Sequence, residues 1–494
     1  MLPSSRSLDP DEELGLVNLR HDERSQQSAR RIAVIGAGPA GLVTAKTLIE
    51  AGAAVTVYEA GSRVGGTWVF DNDNGRQFLY RALHINTPKR LTAFSDFPFP
   101  NDTQPIPSHL DMARYMRSYA EQFGLLPRIR FNSPVTSVRR DDSGRWRVTF
   151  AQEETRDYDA VVVCVGLFDR PHHESKLKDS FEGIYIHSAE YRSPEAFLGQ
   201  RVCVVGAGNS AVDIASDVCR TASQTVLIAR SPVNIIPHFV LGVGLGDISA
   251  GLRQRWIPDA FRRFVLKWLT RMVHGRMTDY GFAAASHRLH PTISSTIVQD
   301  ILFRRVTVQR GIERIDGRTL TFTDGSKADF DVLIASTGYA TDFPFLPTEI
   351  VPRSPERLRL FKRIVPPNHP GLYFVGMINL DTPINYACEK QAKWITAIEC
   401  GAAVLPAREL MLKDIERKDR WALQHYGKAR RHSVQEESKS YYRELDRSLH
   451  MALQRDDLKR FGRSQTSRRD AKHRSKSAPY STPAHNANVA RDDG

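Results

Sequence analysis

Twice in this chain a run of β-type apolar residues meets a glycine-rich turn that opens a helix of small residues. The first copy is IAVIGAGPAGLVTA, from Ile32 to Ala45, and the second is VCVVGAGNSAVDIA, from Val202 to Ala215. Strand, turn and helix in that order are the setting in which a GxGxxG pattern holds a dinucleotide. The first glycine turns the chain, the second lets the backbone approach a pyrophosphate, and the third lets helix and strand pack closely. The helix N-terminus then faces the anion. Gly36, Gly38 and Gly41 fill these positions in the first copy, and Gly206, Gly208 and Ala211 in the second. Two copies in context predict an α/β chain with two Rossmann-like dinucleotide-binding units, and 494 residues are enough to build both.

The residue ending the following strand separates the two sites. After the first copy, AAVTVYEA places Glu59 about 20 residues on, where a carboxylate accepts the hydroxyls of an adenosine ribose. That suits FAD or NAD. After the second, TVLIARS places Arg230 at the equivalent spacing. A guanidinium there pairs with a 2′-phosphate that a carboxylate would repel, so the second site reads as NADPH. Asn209 and Ser210, which open the second helix, join that site. One dinucleotide then supplies a hydride and the other, a resident flavin, receives it.

Composition narrows the class. With 41% hydrophobic and 25% charged residues and a mean hydropathy of −0.39, the chain reads as a globular protein with no bilayer-spanning run and no apolar signal core. Five cysteines without a CxxC or CxxxxC pair argue against a disulfide reductase and for a reducing, cytoplasmic setting. Five of the formal net charge of +13 fall in the last 35 residues, a polar stretch too poor in apolar groups to fold. It reads as a solvated tail, with no nucleic-acid partner expected.

More specific motifs stand around the turns. FEGIYIHSAEYR carries Phe181, Gly183, His187 and Tyr191 in an FxGxxxHxxxY pattern. EAGSRVGGTWVF and HINTPKRLTAFSDFPFP precede it, and DVLIASTGYATDFPF and CEKQAKWITAIECG follow it along the chain. Together they resemble the flavin-containing monooxygenases, the class B flavoprotein monooxygenases, over roughly Arg31 to Gly401. Tyr191-Arg192 stands where Baeyer–Villiger enzymes typically carry Trp-Pro, which tilts the resemblance toward oxidation of heteroatoms. The resemblance implies FAD and NADPH as cofactors and no metal. NADPH reduces the flavin, dioxygen adds to it, and the flavin hydroperoxide oxygenates a small soft nucleophile, an amine or a sulfide. On the same grounds Gly66, Thr67 and Trp68 approach the flavin, and Thr337 and Gly338 line the path between the units. Asn86 protects the oxidant through an amide that donates and accepts without titrating. His187 and Tyr191 are counted with the cofactor sites, His187 for coupling the units and handling NADPH rather than for moving protons.

The order of motifs predicts a leader over 1–30, a flavin domain over 31–170 and again over 330–410, and an NADPH domain over 171–329 inserted between. A helical extension over 411–455 and a disordered basic tail over 456–494 complete the chain. Near 232–291 a helical insertion carries Phe261, Phe264, Val265, Trp268, Leu269 and Met272 at helical spacing, with Arg262, Arg263, Lys267 and Arg271 on the other side. The apolar stripe is expected to pack over the substrate entrance; contact with an anionic membrane surface is the alternative. Rival functions are a Baeyer–Villiger oxygenase acting on ketones and a flavoprotein without oxygenation, working as an NADPH oxidase or a ligand-responsive binding protein. Neither substrate nor oligomeric state is legible.

Overall fold

The computed structural model describes residues 29–453 apart from 169, 255, 285–290, 353–357 and 427–433. The basic tail and all but the last two residues of the leader lie outside the described residues.

Each glycine-rich stretch supplies the central strand of its own parallel sheet. Arg31–Ile35 pairs with Ala54–Tyr58 on one side and Ala160–Val163 on the other, all parallel. Ile129–Arg130 and Leu372–Phe374 form the edges. In the second sheet Arg201–Val205 lies between Gln224–Ile228 and Val332–Ala335, with Thr307–Gln309 and Ile184–His187 outside them. The central strands read as nearly unbroken apolar runs because both sheet faces are covered there, which leaves no polar side to alternate toward. In both sheets the strand order reverses at the glycine turn, where a crevice opens beyond the strand ends.

Leu372–Phe374 joins the first sheet beside Ala160–Val163, so that unit is assembled from two separated stretches. One strand departs from the boundary expected at residue 330. Val332–Ala335 pairs with Arg201–Val205 and Ile184–His187, inside the second sheet. Its four residues are buried throughout, and so short an apolar run carries no mark of which sheet it joins. The crossing comes just after it, where Tyr339–Ala340 pairs antiparallel with Arg170–Pro171.

The C-terminal helices Arg408–Tyr426 and Ser438–Leu453 dock on the first unit, burying Met411, Ile415, Tyr441 and Leu445 in its core. Buried charges fix the seat. Arg363, 2% exposed, donates Nε to Glu436 Oε1 at 2.8 Å, and Lys362 and Lys418 meet Glu444 at 2.7 and 2.9 Å. Such pairs stabilise little in net terms, but breaking one strands a buried charge at a cost of about 3–5 kcal/mol.

The insertion forms the expected helix, Asp259–His274, but only part of its apolar stripe packs inward. Phe261, Phe264, Trp268 and Met272 are 53%, 66%, 53% and 63% exposed. Of the expected stripe Val265 and Leu269 are half-buried, joined by Leu266, and Arg262 is largely covered. Periodicity identifies the helix and its faces, and the neighbouring elements decide which face is covered.

The two glycine turns differ at their third position. An ideal Cβ on Gly41 would lie 1.8 Å from the Gly36 carbonyl oxygen, whereas the equivalent Ala211 is accommodated with no exposed surface. Gly41→Ala is therefore expected to destabilise the protein by about 2 kcal/mol or more, within the range for overpacked sites. Ala211→Gly should cost only about 1 kcal/mol, the helix-propensity difference. Urea unfolding compares the two, and equal costs would show that the first turn relaxes freely.

Candidate functional site

The first turn is built by backbone approaching backbone. Gly36 has φ of +104°, and a Cβ there would meet the Cys164 carbonyl oxygen at 2.7 Å. The segment holding Gly66, Thr67 and Trp68 folds as one 3-10 turn against the same loop. A Cβ on Gly66, whose φ is +58°, would sit 2.9 Å from Gly38 Cα. Glu59 is buried at the end of its strand, where its two carboxylate oxygens accept from Ala37 N at 2.8 Å and Gly61 N at 3.0 Å. The helix Pro39–Glu50 begins from Gly38 with no side-chain cap. Its first amides therefore present an anion-binding end between two glycine surfaces, which fits the pyrophosphate of FAD.

The second turn repeats the design with a more open face. Gly206, at φ of +134°, would place a Cβ 2.5 Å from the Ser336 carbonyl oxygen, while a Cβ on Gly208 would meet no protein atom within 4 Å. Packing does not demand a glycine at Gly208; an approaching pyrophosphate would. Asn209–Val218 is likewise uncapped by any side chain, which fits the NADPH pyrophosphate. The Asn209 side chain is itself engaged, its Oδ1 accepting from Ile293 N at 2.9 Å, and Ser210 stands half-buried beside it. Arg230 lies just past the strand, its side chain 76% exposed, with Nη2 3.5 Å from Glu174 Oε1. A guanidinium so exposed can reach a 2′-phosphate.

His187 and Tyr191 require a correction. Both are fully buried within the protein, so neither offers a surface to a dinucleotide. His187 Nδ1 accepts from Ala189 N at 3.1 Å, which leaves the proton on Nε2, donated to the Gly338 carbonyl at 3.0 Å. Burial, then the neighbouring His173, push its pKa down to about 4, so the ring is neutral. Tyr191 donates its hydroxyl to Asp217 Oδ2 at 2.7 Å and stacks on Phe197 behind the second loop's helix. Each side chain is thus spent on bonds within the protein. Gly338, at φ of +87°, also accepts from His172 N at 2.9 Å, and Thr337 donates its hydroxyl to the His172 carbonyl. Thr337 and Gly338 thus clasp the crossing between the sheets.

Two residues make bridging bonds that the sequence does not show. Arg192 donates to the carbonyls of Ala189 and Tyr191 at 2.6 and 3.0 Å and to Gln77 Oε1 at 2.5 Å. Tyr80 inserts into the second unit's core and donates to Asp213 Oδ2 at 2.8 Å. The pair Tyr191-Arg192 is marked only by the resemblance and Tyr80 by no local pattern, and neither bond is legible because Gln77 and Asp213 lie more than a hundred positions away.

Asn86 is half-buried, and its amide makes no hydrogen bond to another described residue. From Thr87 onward the chain lines a cavity of about 940 Å³. Its other walls come from the insertion, from Asp381 to Tyr386 at the start of the closing helix Ile384–Glu399, and from the last helix. The closing helix runs beside the first loop's helix: a Cβ on Gly376 would lie 3.5 Å from Ala40 Cβ and 3.7 Å from Cys388 Sγ. The cavity therefore adjoins the end of the first unit where the glycine turn lies.

The depressed pKa of His187 makes a prediction. The unfolded chain takes up a proton near pH 6.5 and the folded chain only near pH 4, so stability is complete above 6.5 and lost as pH falls through that window. His187→Gln, which keeps a donor for Gly338, is expected to remove roughly 2–3 kcal/mol of that acid sensitivity. Urea midpoints at pH 7 and pH 4.5 measure it, and identical slopes in both proteins would show that His187 titrates freely.

With this geometry in place, likeness to known proteins becomes informative. The family model described as flavin-binding monooxygenase-like matches residues 29–454. Dimethylaniline monooxygenase (N-oxide-forming) 2 of Mus musculus is 30% identical over 438 residues, covering 84% of this chain and 82% of the relative. Flavin-containing monooxygenase 5 of Oryctolagus cuniculus is 31% identical over 441 residues, covering 83% and 80%. Among solved structures, S-allyl-L-cysteine S-oxygenase from Allium sativum superposes with a TM-score of 0.66 at 26% identity, covering 91% of this chain and 94% of that one. Cyclohexanone monooxygenase, at 15% identity and a TM-score of 0.64, shares the fold. The chain belongs to the flavin-binding monooxygenase-like family, a family of FAD- and NADPH-dependent monooxygenases.

Proposed function

We propose that this enzyme transfers one oxygen atom from dioxygen to a soft nucleophile, with thioethers as its preferred class. In the balanced reaction a thioether, dioxygen, NADPH and a proton give a sulfoxide, NADP⁺ and water. Bound at the two glycine turns, the nucleotides supply the redox chemistry, NADPH giving hydride and the flavin activating dioxygen. The residues of the chain orient and shield. Gly36, Gly38, Gly41 and Gly66 bring backbone against the first pyrophosphate, with Glu59 at the ribose. Gly206 and Gly208 do the same for the second, with Arg230 at the 2′-phosphate. His187 and Gly338 at the crossing, with Tyr80 and Arg192, hold the two units in register. A sulfide is favoured over an amine because the Allium sativum relative is an S-oxygenase.

The observation that carries this reading is the unbonded amide of Asn86 beside the cavity wall. A half-buried amide with no described protein partner keeps its donor and acceptor available to a reactant. It donates and accepts at any working pH, so it can hold a proton-bearing oxygen next to the bound substrate. Removing such a donor typically costs about 10²–10³ in rate at the step it serves. Asn86→Ala is expected to bind FAD and consume NADPH at a near-native rate while releasing hydrogen peroxide in place of sulfoxide. Peroxide and product assays read the partition. Unchanged coupling would remove Asn86 from the chemistry, and an ester from a ketone probe with no sulfoxide would favour the Baeyer–Villiger alternative.

A second observation supports a peripheral membrane partner. The exposed stripe Phe261, Phe264, Trp268 and Met272 is joined by Leu241, 95% exposed on the neighbouring hairpin, and Arg263, Lys267 and Arg271 stand exposed beside it. Aromatic groups flanked by cations on a helix anchored by its other face suit an anionic bilayer surface. Among the described residues no helix is long and apolar enough to cross a membrane. The double variant Phe264→Ser/Trp268→Ser is expected to bind vesicles of mixed phosphatidylcholine and phosphatidylglycerol at least roughly tenfold more weakly than the wild type. Equal sedimentation of both proteins with such vesicles would assign the stripe elsewhere.

A further inference from the structure

Resting on the monooxygenase reading above, we propose that the cavity beyond Asn86 selects thioethers that carry a carboxylate. Its size, about 940 Å³, falls within the range of about 300–1,000 Å³ typical of small-molecule sites. Its apolar wall includes Phe94, Phe99, Tyr386 and Tyr442. The rest of the wall is unusually cationic. Lys89 and Arg90 come from the short helix after Asn86, Arg253 and Arg262 from the insertion, and Lys439 from the last helix.

Only two carboxylates, Asp381 and Glu437, share that lining. Asp381 serves two guanidiniums, with Arg253 Nη2 at 2.9 Å and Arg262 Nη2 at 4.0 Å. Burial tends to raise its pKa, but Arg253, the Ser438 hydrogen bonds and Arg262 outweigh this and keep it ionised below the ordinary carboxylate range. Arg90 is paired with Asp247 at 2.7 Å. Lys89 is held by the carbonyls of Pro100, Asn101 and Thr103, neutral groups that orient the ammonium without cancelling its charge. Five cationic side chains and two carboxylates therefore line a chamber with an aromatic wall.

Charge in such a partly desolvated chamber acts more strongly than in water. A carboxylate entering it meets guanidiniums held in place by Asp381 and Asp247 and the Lys89 ammonium held by neutral carbonyls, and bonds to such cations are charge-assisted. A protonated amine meets net repulsion. The apolar remainder of the ligand, with a polarisable sulfur that stays uncharged at neutral pH, suits the aromatic wall. The three segments that assemble this wall are far apart in sequence, which makes the preference a property of this chain's own insertion and C-terminal helix.

The test compares three probes of matched shape: thioanisole, 4-(methylthio)benzoate and 4-(methylthio)benzylamine. Sulfoxide formation is followed by chromatography for the wild type, Arg262→Gln and Lys439→Glu. The wild type should show a KM for the benzoate at least tenfold below that for thioanisole, with the benzylamine the poorest. In either variant the benzoate-over-thioanisole ratio in kcat/KM should fall at least tenfold. Lys439 is half-buried in the first turn of the last helix, so its variant keeps the test decisive if Arg262→Gln fails to fold. Equal KM values for the three probes in the wild type, or a preference that survives Lys439→Glu, would overturn the proposal while leaving S-oxygenation standing. NADPH consumption with no sulfoxide from any probe would instead sink the monooxygenase reading.

Discussion

The architecture depends on one close approach, the first turn of a helix laid across the Gly36 carbonyl so tightly that no side chain fits at Gly41. That contact sets the helix hard against its strand and points its uncapped amides out of the sheet at the place where strand order reverses. The Gly66 turn presses on Gly38 from the opposite side, so the first cradle is closed by backbone on both walls. The second cradle uses the same device through Gly206 and the Ser336 carbonyl, yet tolerates Ala211 and leaves Gly208 open. A tightly enclosed site suits a resident flavin and an open one suits a nucleotide that comes and goes.

Two cradles are useful only if their ends face each other. The contacts that fix this are polar and mostly buried: His187 to Gly338 at the crossing, Tyr80 to Asp213, and Arg192 to the 77–79 segment. Burial raises the Asp213 carboxyl to about 6, and the Tyr80 hydroxyl limits that rise by donating to it. Each bond is worth about 1 kcal/mol, but leaving either partner unsatisfied costs more, so the interface favours a single geometry.

The C-terminal helices take part in the same logic. A polar chain runs from Gly376 N through Gln391 to the Tyr441 hydroxyl and on to the Lys362 carbonyl, tying the last helix to the floor of the first unit. Around it Arg363 and Glu436 and the Lys362, Lys418 and Glu444 triad are buried or nearly so. The last helix is thereby held where Glu437, Ser438 and Tyr442 wall the cavity, so a segment outside the glycine motifs shapes the space that admits substrate.

From the sequence alone came whatever depends on a few neighbouring residues. The glycine spacing, the carboxylate or guanidinium after the next strand and the amphipathic helix are local, because a turn that needs positive φ or a helix that needs two faces marks its own residues. The family likeness rested on the same short motifs. What no local pattern encoded was partnership across the chain. Val332–Ala335 could have joined either sheet, and the aromatic stripe could have faced either way. His187 and Tyr191 have the look of ligands until the imidazole is found bonded to Gly338 and the phenol to Asp217. Burial and charge balance are sums over neighbours distant in sequence. The coverage of the insertion helix and the cationic wall of the cavity therefore existed only once tertiary packing had brought those neighbours together.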